Sequence, residues 1–262
     1  MEYRSALITG ASSGIGAAFA AIMPASTDLL LSARGAEQLG RVGASLATGA
    51  RRVDTIAADL ASPYGCAALI ERALERGIDL FVCNAGTALA GDFSAVPISK
   101  QRETLAVNVL ATVELLHALL PDMIARARRA QRRAGVIVVS SMGAFGSAPG
   151  LACYGASKAF ELHLARSLAA ELRGEPIDVL AICPTYTRTA FFARAGLPEP
   201  RRAMPAKAVA CEAMAALGRR PLELYSLHHY PQAIRQVVAT NPALAAWRWP
   251  RQIVARLRKM ER

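Results

Sequence analysis

Six short runs rich in apolar and β-branched residues, each followed by a longer stretch with helical spacing, set the frame for this 262-residue chain. They are Ala6-Leu7-Ile8-Thr9, Leu29-Leu30-Leu31, Val53-Asp54-Thr55-Ile56, Leu80-Phe81-Val82, Val136-Ile137-Val138-Val139 and Val179-Leu180-Ala181-Ile182. Strands with one wet face alternate apolar with polar residues, and these do not, so both of their faces are expected to be covered. That is the situation in a parallel sheet wrapped by helices, with right-handed crossovers. The expected class is α/β, a single doubly wound parallel sheet with helices on both faces, in one domain spanning 1–262.

Composition removes several alternatives. With 53% hydrophobic and 19% charged residues the chain has ample material for a core and no disordered tract. The net charge of +11 would suit a polyanionic partner. The arginines are scattered, however, and no nucleic-acid module or aromatic platform accompanies them, so no nucleic-acid partner is expected. The uncharged run from Ser5 to Thr27 is broken by Gly10, Gly14, Gly16 and Pro24, which reads as strand, turn and helix rather than a membrane span. Cys66, Cys83, Cys153, Cys183 and Cys211 form no ligand spacing or disulfide framework, which fits reduced thiols in a cytoplasmic protein. His117, His163, His228 and His229 lack carboxylate or cysteine partners at ligand spacing, so no metal is expected.

Two helices are expected to be long, about Gln101 to Arg129 and about Ala152 to Arg173, the second stopped by Gly174 and Pro176. The basic run Arg126, Arg128, Arg129, Arg132 and Arg133 reads as a solvated helix end, where cations are favourable. Residues 185–205 are proline-rich around Phe191-Phe192, as in an irregular substrate loop. Residues 225–262 form an atypical basic extension in which Trp247, Trp249, Ile253 and Leu257 interleave with Arg248, Arg251, Arg256 and Arg258. A peripheral membrane contact and a docked terminal helix both suit that pattern.

Directly after the first strand stands Thr9-Gly10-Ala11-Ser12-Ser13-Gly14-Ile15-Gly16, followed by the helix-forming Ala17-Ala18-Phe19. Glycines there permit a tight turn and close backbone approach to a pyrophosphate, whose charge meets the amides at the helix N-terminus. Further on, Tyr154 and Lys158 are four apart, so on a helix they share one face. A tyrosine near its free pKa of about 10 is a poor base at neutral pH, and a nearby ammonium favours the phenolate.

Together these motifs resemble the short-chain dehydrogenase/reductase (SDR) family rather than the medium-chain dehydrogenases. The glycine spacing, Asn84-Ala85-Gly86 closing the fourth strand, Asn108 in the first long helix, Ser141 thirteen positions before Tyr154, and Tyr154-Gly155-Ala156-Ser157-Lys158 carry the resemblance. It covers about Ala6 to Leu224 and implies a Rossmann-like domain and a catalytic set of Asn108, Ser141, Tyr154 and Lys158. In reduction Tyr154 would donate a proton to the carbonyl oxygen that Ser141 orients, while a nicotinamide delivers hydride. Lys158 would hold the nicotinamide ribose, and Asn108 would anchor a water leading to solvent.

The resemblance also implies the cofactor contacts. Gly10, Ser12, Ser13, Gly14, Ile15 and Gly16 would cradle the phosphates, Asp59 and Leu60 the adenine, and Asn84, Ala85 and Gly86 the middle of the dinucleotide. Tyr154, Lys158, Pro184 and Thr187 would also contact the cofactor, with Thr189 at the nicotinamide carboxamide. Arg34 stands at the end of the second strand, where an acid would select a ribose hydroxyl, so NADP(H) is expected over NAD(H). Thr185 replaces the glycine usual after Pro184, and a non-glycine residue resists positive φ.

The C-terminal departure is similar to the hydroxysteroid and long-chain 3-oxoacyl reductase branch. A pocket of Ser141, Phe145, Leu151, Tyr154, Phe191 and Phe192 would then take a hydrophobic carbonyl or alcohol of steroid, terpenoid or oxoacyl type. A non-catalytic NADP(H)-binding regulator or scaffold is the alternative reading. A homodimer or homotetramer formed through the two long helices is the expected assembly.

Overall fold

In the computed structural model, residues 2–219 and 222–224 are described. The chain runs β1 (Ser5–Thr9), α1 (Gly14–Ile22), β2 (Asp28–Ala33), α2 (Ala36–Leu46), β3 (Val53–Ala57), α3 (Pro63–Arg76), β4 (Leu80–Cys83), α4 (Ile98–Leu105) and α5 (Ala111–Ala130). It continues through β5 (Ala134–Val139), α6 (Ala152–Glu171), β6 (Ile177–Cys183), β7 (Thr187–Arg188), α7 (Phe191–Arg194), β8 (Met204–Pro205), α8 (Ala206–Ala216) and β9 (Leu222–Leu224). Seven strands make one parallel sheet in the order β3-β2-β1-β4-β5-β6-β9, the doubly wound α/β arrangement expected. Each of the six anticipated strands is present. The added edge strand β9 has only three residues, Leu222-Glu223-Leu224, too few to show a period, and β7 and β8 form a separate two-residue pair.

Alternation along β1, β2, β4, β5 and β6 explains why those runs are largely apolar; β3, at the sheet edge with Asp54 and Thr55 in its run, has no fully buried residue and departs from the expected two-sided cover. Leu7, Leu30, Phe81, Val136, Val138 and Val179 face the layer of α3, α5 and α6, against Leu69, Leu115, Leu119 and Leu162. Their neighbours Ile8, Leu29, Leu31, Val82, Ile137 and Leu180 face the opposite layer, against Phe19 of α1, Leu39 of α2 and Val209 of α8. Full burial of each such side chain contributes about 1.5–3 kcal/mol, so the two layers together specify which face every strand residue takes.

The long helix expected near 101–129 is α4 and α5 joined through a π-helical turn at Ala106–Leu110. The continuous run from Ile98 to Ala130 is 33 residues, long and apolar enough to cross a membrane by length and composition, but half of its apolar window is buried. Leu115, Leu116, Leu119 and Met123 pack in the core, which accounts for the hydropathy. At the basic end of α5, Arg128 meets Glu175 at 2.6 Å and Arg133 meets Asp178 at 2.6 Å, both arginines remaining solvent-exposed. Trp247, Trp249 and the rest of the basic segment 225–262, with His228 and His229, lie outside the described residues.

Candidate active site

Sheet order reverses between β1 and β4, and there the C-terminal ends of neighbouring strands splay into a crevice, the usual ligand position of such a sheet. The turn after β1 is built for close approach. Gly10 has φ +66°, and a Cβ on Gly16 would strike the Gly10 carbonyl. Asn84, ending β4, clamps this turn: its Nδ2 donates to the carbonyls of Thr9 at 2.9 Å and Gly10 at 3.4 Å. Thr9 Oγ1 answers by accepting from the backbone amides of Asn84 and Ala85, both at 3.0 Å. The Thr-Gly turn and the Asn-Ala-Gly segment are thus one hydrogen-bonded unit, although they lie 75 positions apart in the chain.

That unit opens into a cavity of about 910 Å³. Of the expected cofactor residues, Gly10, Ser13, Gly14, Ile15, Asn84, Ala85, Gly86, Pro184, Thr187 and Thr189 line it. Ser12, Gly16, Arg34, Asp59 and Leu60 do not. Arg34 Nη1 instead pairs with Glu103 Oε1 on α4 at 2.6 Å. Asp59 is exposed and accepts from the Ala61 amide at 3.0 Å, an Asx turn rather than the cap of α3. Leu60 is buried in the core. Thr185 needs no glycine, because Gln131 is the one non-glycine residue with positive φ among the described residues.

Ser141 follows β5 and caps the 3₁₀ turn Met142–Phe145: its Oγ accepts from the Gly143 amide at 3.1 Å, which fixes the side chain. Ser141 and Tyr154 both line the cavity beside Lys158. Burial raises the Tyr154 phenol above its ordinary value, while the Lys158 ammonium and the Ser141 hydroxyl pull it back down. Burial prevails, so the phenol lies above its ordinary value despite the opposing pull of Lys158 expected from the Tyr-Lys spacing. Lys158 Nζ, 5.8 Å from the Tyr154 ring centre, donates to the Val139 carbonyl at 3.0 Å.

Asn108 lies in the π turn, a widened helical geometry that recurs at functional sites. It is fully buried and does not line the cavity. Its Oδ1 accepts from the Thr87 amide at 2.9 Å, and its Nδ2 donates to the Thr87 carbonyl at 3.1 Å and to Ser157 Oγ at 2.9 Å. Both Nδ2 hydrogens are thus spent tying the loop after β4 to α6, while Oδ1, with one bond accepted, keeps a second acceptor site.

The remaining wall is apolar. Phe191 packs at a 43° tilt against Tyr154 with ring centres 5.2 Å apart, meets Phe192 edge-on at 5.6 Å, and Phe192 meets Tyr186 at 5.7 Å. Leu151 also lines this side, whereas Phe145 is buried in the core layer behind Ser141, because its 3₁₀ turn, Met142–Phe145, points it inward. Reading the sequence missed three side chains. Arg194 of α7 reaches back to donate to Ser13 Oγ at 3.3 Å; Ser157 relays Asn108 to the Tyr154 carbonyl at 2.7 Å; and Glu161 pairs with Lys158. A glutamate on the buried face of α6, one turn past the Tyr-Lys pair, was the available signal for Glu161. The other two depend on the tertiary arrangement.

Comparison with known proteins accords with this geometry. A family model described as short chain dehydrogenase matches residues 4–199. The 1-deoxy-11-beta-hydroxypentalenate dehydrogenase of Streptomyces exfoliatus is 33% identical over 222 residues, covering 83% of this chain and 78% of that protein. A short-chain dehydrogenase from Sphingobium yanoikuyae, solved in complex with NADPH, superposes with a TM-score of 0.79 at 28% identity, covering 94% of this chain and 96% of the other. The bulky-bulky ketone specific alcohol dehydrogenase from Comamonas testosteroni superposes with a TM-score of 0.74 at 25% identity, covering 95% and 96%. The chain belongs to the short-chain dehydrogenase family, and its chemistry is oxidoreduction between an alcohol and a ketone.

Proposed function

We propose that this protein uses NADP(H) to interconvert a carbonyl and a secondary alcohol on a hydrophobic substrate of terpenoid, steroid or oxoacyl type. The carrying observation is the aromatic wall set directly against the proton donor, Phe191 on Tyr154 with Phe192 and Tyr186 behind it. Such a wall offers apolar surface directly beside the proton donor, where the body of a bulky ketone would lie. The named activities of the pentalenate dehydrogenase and the bulky-ketone enzyme agree with it.

The residues present fit a dinucleotide. The glycine turn would admit a pyrophosphate at the start of α1, with the amides there and Arg194 supplying positive charge. Arg34 and Arg194 suit a 2′-phosphate, and no acid ends β2. The Arg34–Glu103 pair is no barrier, since it is largely exposed and such pairs contribute about 0–1 kcal/mol, less than a charge-assisted bond to phosphate. When bound, NADP(H) supplies the hydride donor or acceptor. Tyr154 delivers or takes the proton at the substrate oxygen, Ser141 orients that oxygen, and Lys158 holds the ribose side of the site. Residues 185–205, carrying β7, α7 and β8, form the substrate loop, and a homodimer or homotetramer is the assembly we expect.

The test is turnover of NADPH and NADH with cyclic terpenoid ketones, steroid ketones, 3-oxoacyl thioesters and small sugars, with Tyr154→Phe as control. NADPH-dependent reduction of the bulky apolar ketones is expected. Turnover confined to sugars would overturn the substrate class, and a fully active Y154F would overturn the assigned proton donor.

A further inference from the structure

Glu161 is an acid where the fold calls for an apolar residue. It lies on the buried face of α6 beside Leu162 and Ala165, is 2% exposed, and does not line the cavity. Both of its oxygens face Lys158 Nζ, at 3.0 Å for Oε1 and 2.9 Å for Oε2. Among the described residues Lys158 is its one salt-bridge partner. The other titratable groups facing the pair are Tyr154 on the same helix, Cys83 from β4 and Cys183 from β6.

An ammonium has three N–H groups. Here the acceptors are the Val139 carbonyl and both Glu161 oxygens, so a ribose hydroxyl would have to share or displace one of these bonds. Lys158 itself lines the cavity beside Tyr154. Lys158 is only 4% exposed, and a buried lysine without a counter-charge gives up its proton readily. Burial does push the Lys158 ammonium down, and Glu161 is the largest influence opposing it, so that Lys158 ends above its ordinary value. Burial holds Glu161 itself up to about 7 against the pull of Lys158. The two cysteines, both pushed up to about 12 by burial, stay neutral thiols and add no charge.

We propose that Glu161 is a positioning residue acting through Lys158: it is the buried counter-ion that keeps the lysine charged and in place beside Tyr154. This rests on the reading of Tyr154 and Lys158 as the catalytic pair. Removing the charge should leave the protein competent at low pH and disable it as pH rises, because Lys158 would then lose its proton well below the ordinary lysine range of about 10.4.

The experiment measures NADPH affinity by nicotinamide fluorescence across about pH 6 to 10, a window spanning the depressed lysine range, in wild type, Glu161→Gln, Glu161→Leu and Glu161→Asp. Wild-type affinity should stay nearly level. E161Q should match it at the acid end and weaken about tenfold or more toward the alkaline end, one pKa unit of unpaired lysine being a tenfold change. E161L, which suits the apolar layer and removes the charge, should show the same alkaline loss if E161Q does not fold. E161D keeps the charge and should restore the level profile. A uniform loss in E161Q or E161L, or profiles parallel to wild type, would assign Glu161 to packing alone and overturn the proposal. So would an alkaline loss in E161D equal to that of E161L, an outcome that decides the matter even without E161Q. Turnover by Tyr154→Phe separates this from the larger reading: an active Y154F refutes the catalytic assignment, while the binding profiles still report on Glu161 and Lys158.

Discussion

Asn108 Nδ2 donates to Ser157 Oγ at 2.9 Å, and Ser157 in turn donates to the backbone carbonyl of Tyr154 at 2.7 Å, so the π turn and the catalytic helix are joined by one buried chain of hydrogen bonds. Asn108→Ala would leave Ser157 and both backbone groups of Thr87 short of a partner. Each unsatisfied buried group costs about 1–3 kcal/mol. A melting temperature lowered by several degrees is expected, with turnover reduced because α6 loses its brace; an unchanged melting curve would show that the chain of bonds contributes nothing.

Cofactor choice should divide between Arg34 and Arg194. Replacing either with alanine is expected to weaken NADPH binding roughly tenfold or more, in line with about 1.5–3 kcal/mol for a bond to a charged group. For Arg34→Ala the loss should spare NADH, which has no 2′-phosphate. Glu103→Gln frees Arg34 and should tighten NADPH by no more than a few-fold, because an exposed pair contributes about 0–1 kcal/mol. Fluorescence titrations with both nucleotides check all three, and equal losses for NADPH and NADH in Arg34→Ala would contradict the 2′-phosphate assignment.

The protonation state of Tyr154 makes the two reaction directions respond oppositely to pH. Carbonyl reduction needs the phenol, and burial raises its value, so the reductive rate should be level through neutral pH and fall only as pH rises through that raised value. Alcohol oxidation needs the phenolate and should climb with pH over the same interval. Tyr154→Phe should lower turnover by roughly 10²–10⁴-fold, the usual contribution of general acid catalysis. Rate profiles in both directions decide it, and parallel profiles would exclude Tyr154 as the proton carrier.

Phe191 packs at a tilt against the Tyr154 ring, so its loss should tell on large substrates before small ones. An aromatic contact contributes about 0.5–1.5 kcal/mol beyond area burial. Phe191→Ala is expected to reduce kcat/KM for a polycyclic ketone several-fold further than for acetone-sized ketones, as read by steady-state kinetics. Equal effects on both would place Phe191 outside the substrate contact.

What the sequence determined by itself is everything carried by local periodicity and spacing. The apolar runs specify strands covered on two faces, Gly10 to Gly16 specify a tight strand-to-helix turn, and residues four apart on a helix must share a face, so Tyr154 and Lys158 come together without any tertiary information. Pairings across the chain were decided only by the fold. The strand-end arginine Arg34 meets Glu103 on a helix 69 positions later, Arg194 returns to Ser13 across 181 positions, Phe145 turns into the core rather than the pocket, and Asn108 spends its amide on Thr87 and Ser157. Glu161 stands between these cases: its proximity to Lys158 is local, but its meaning is not. Only the burial of both side chains beneath the sheet turns an ordinary three-residue charge spacing into a counter-ion, because desolvation is a property of the packed layer and not of the sequence interval.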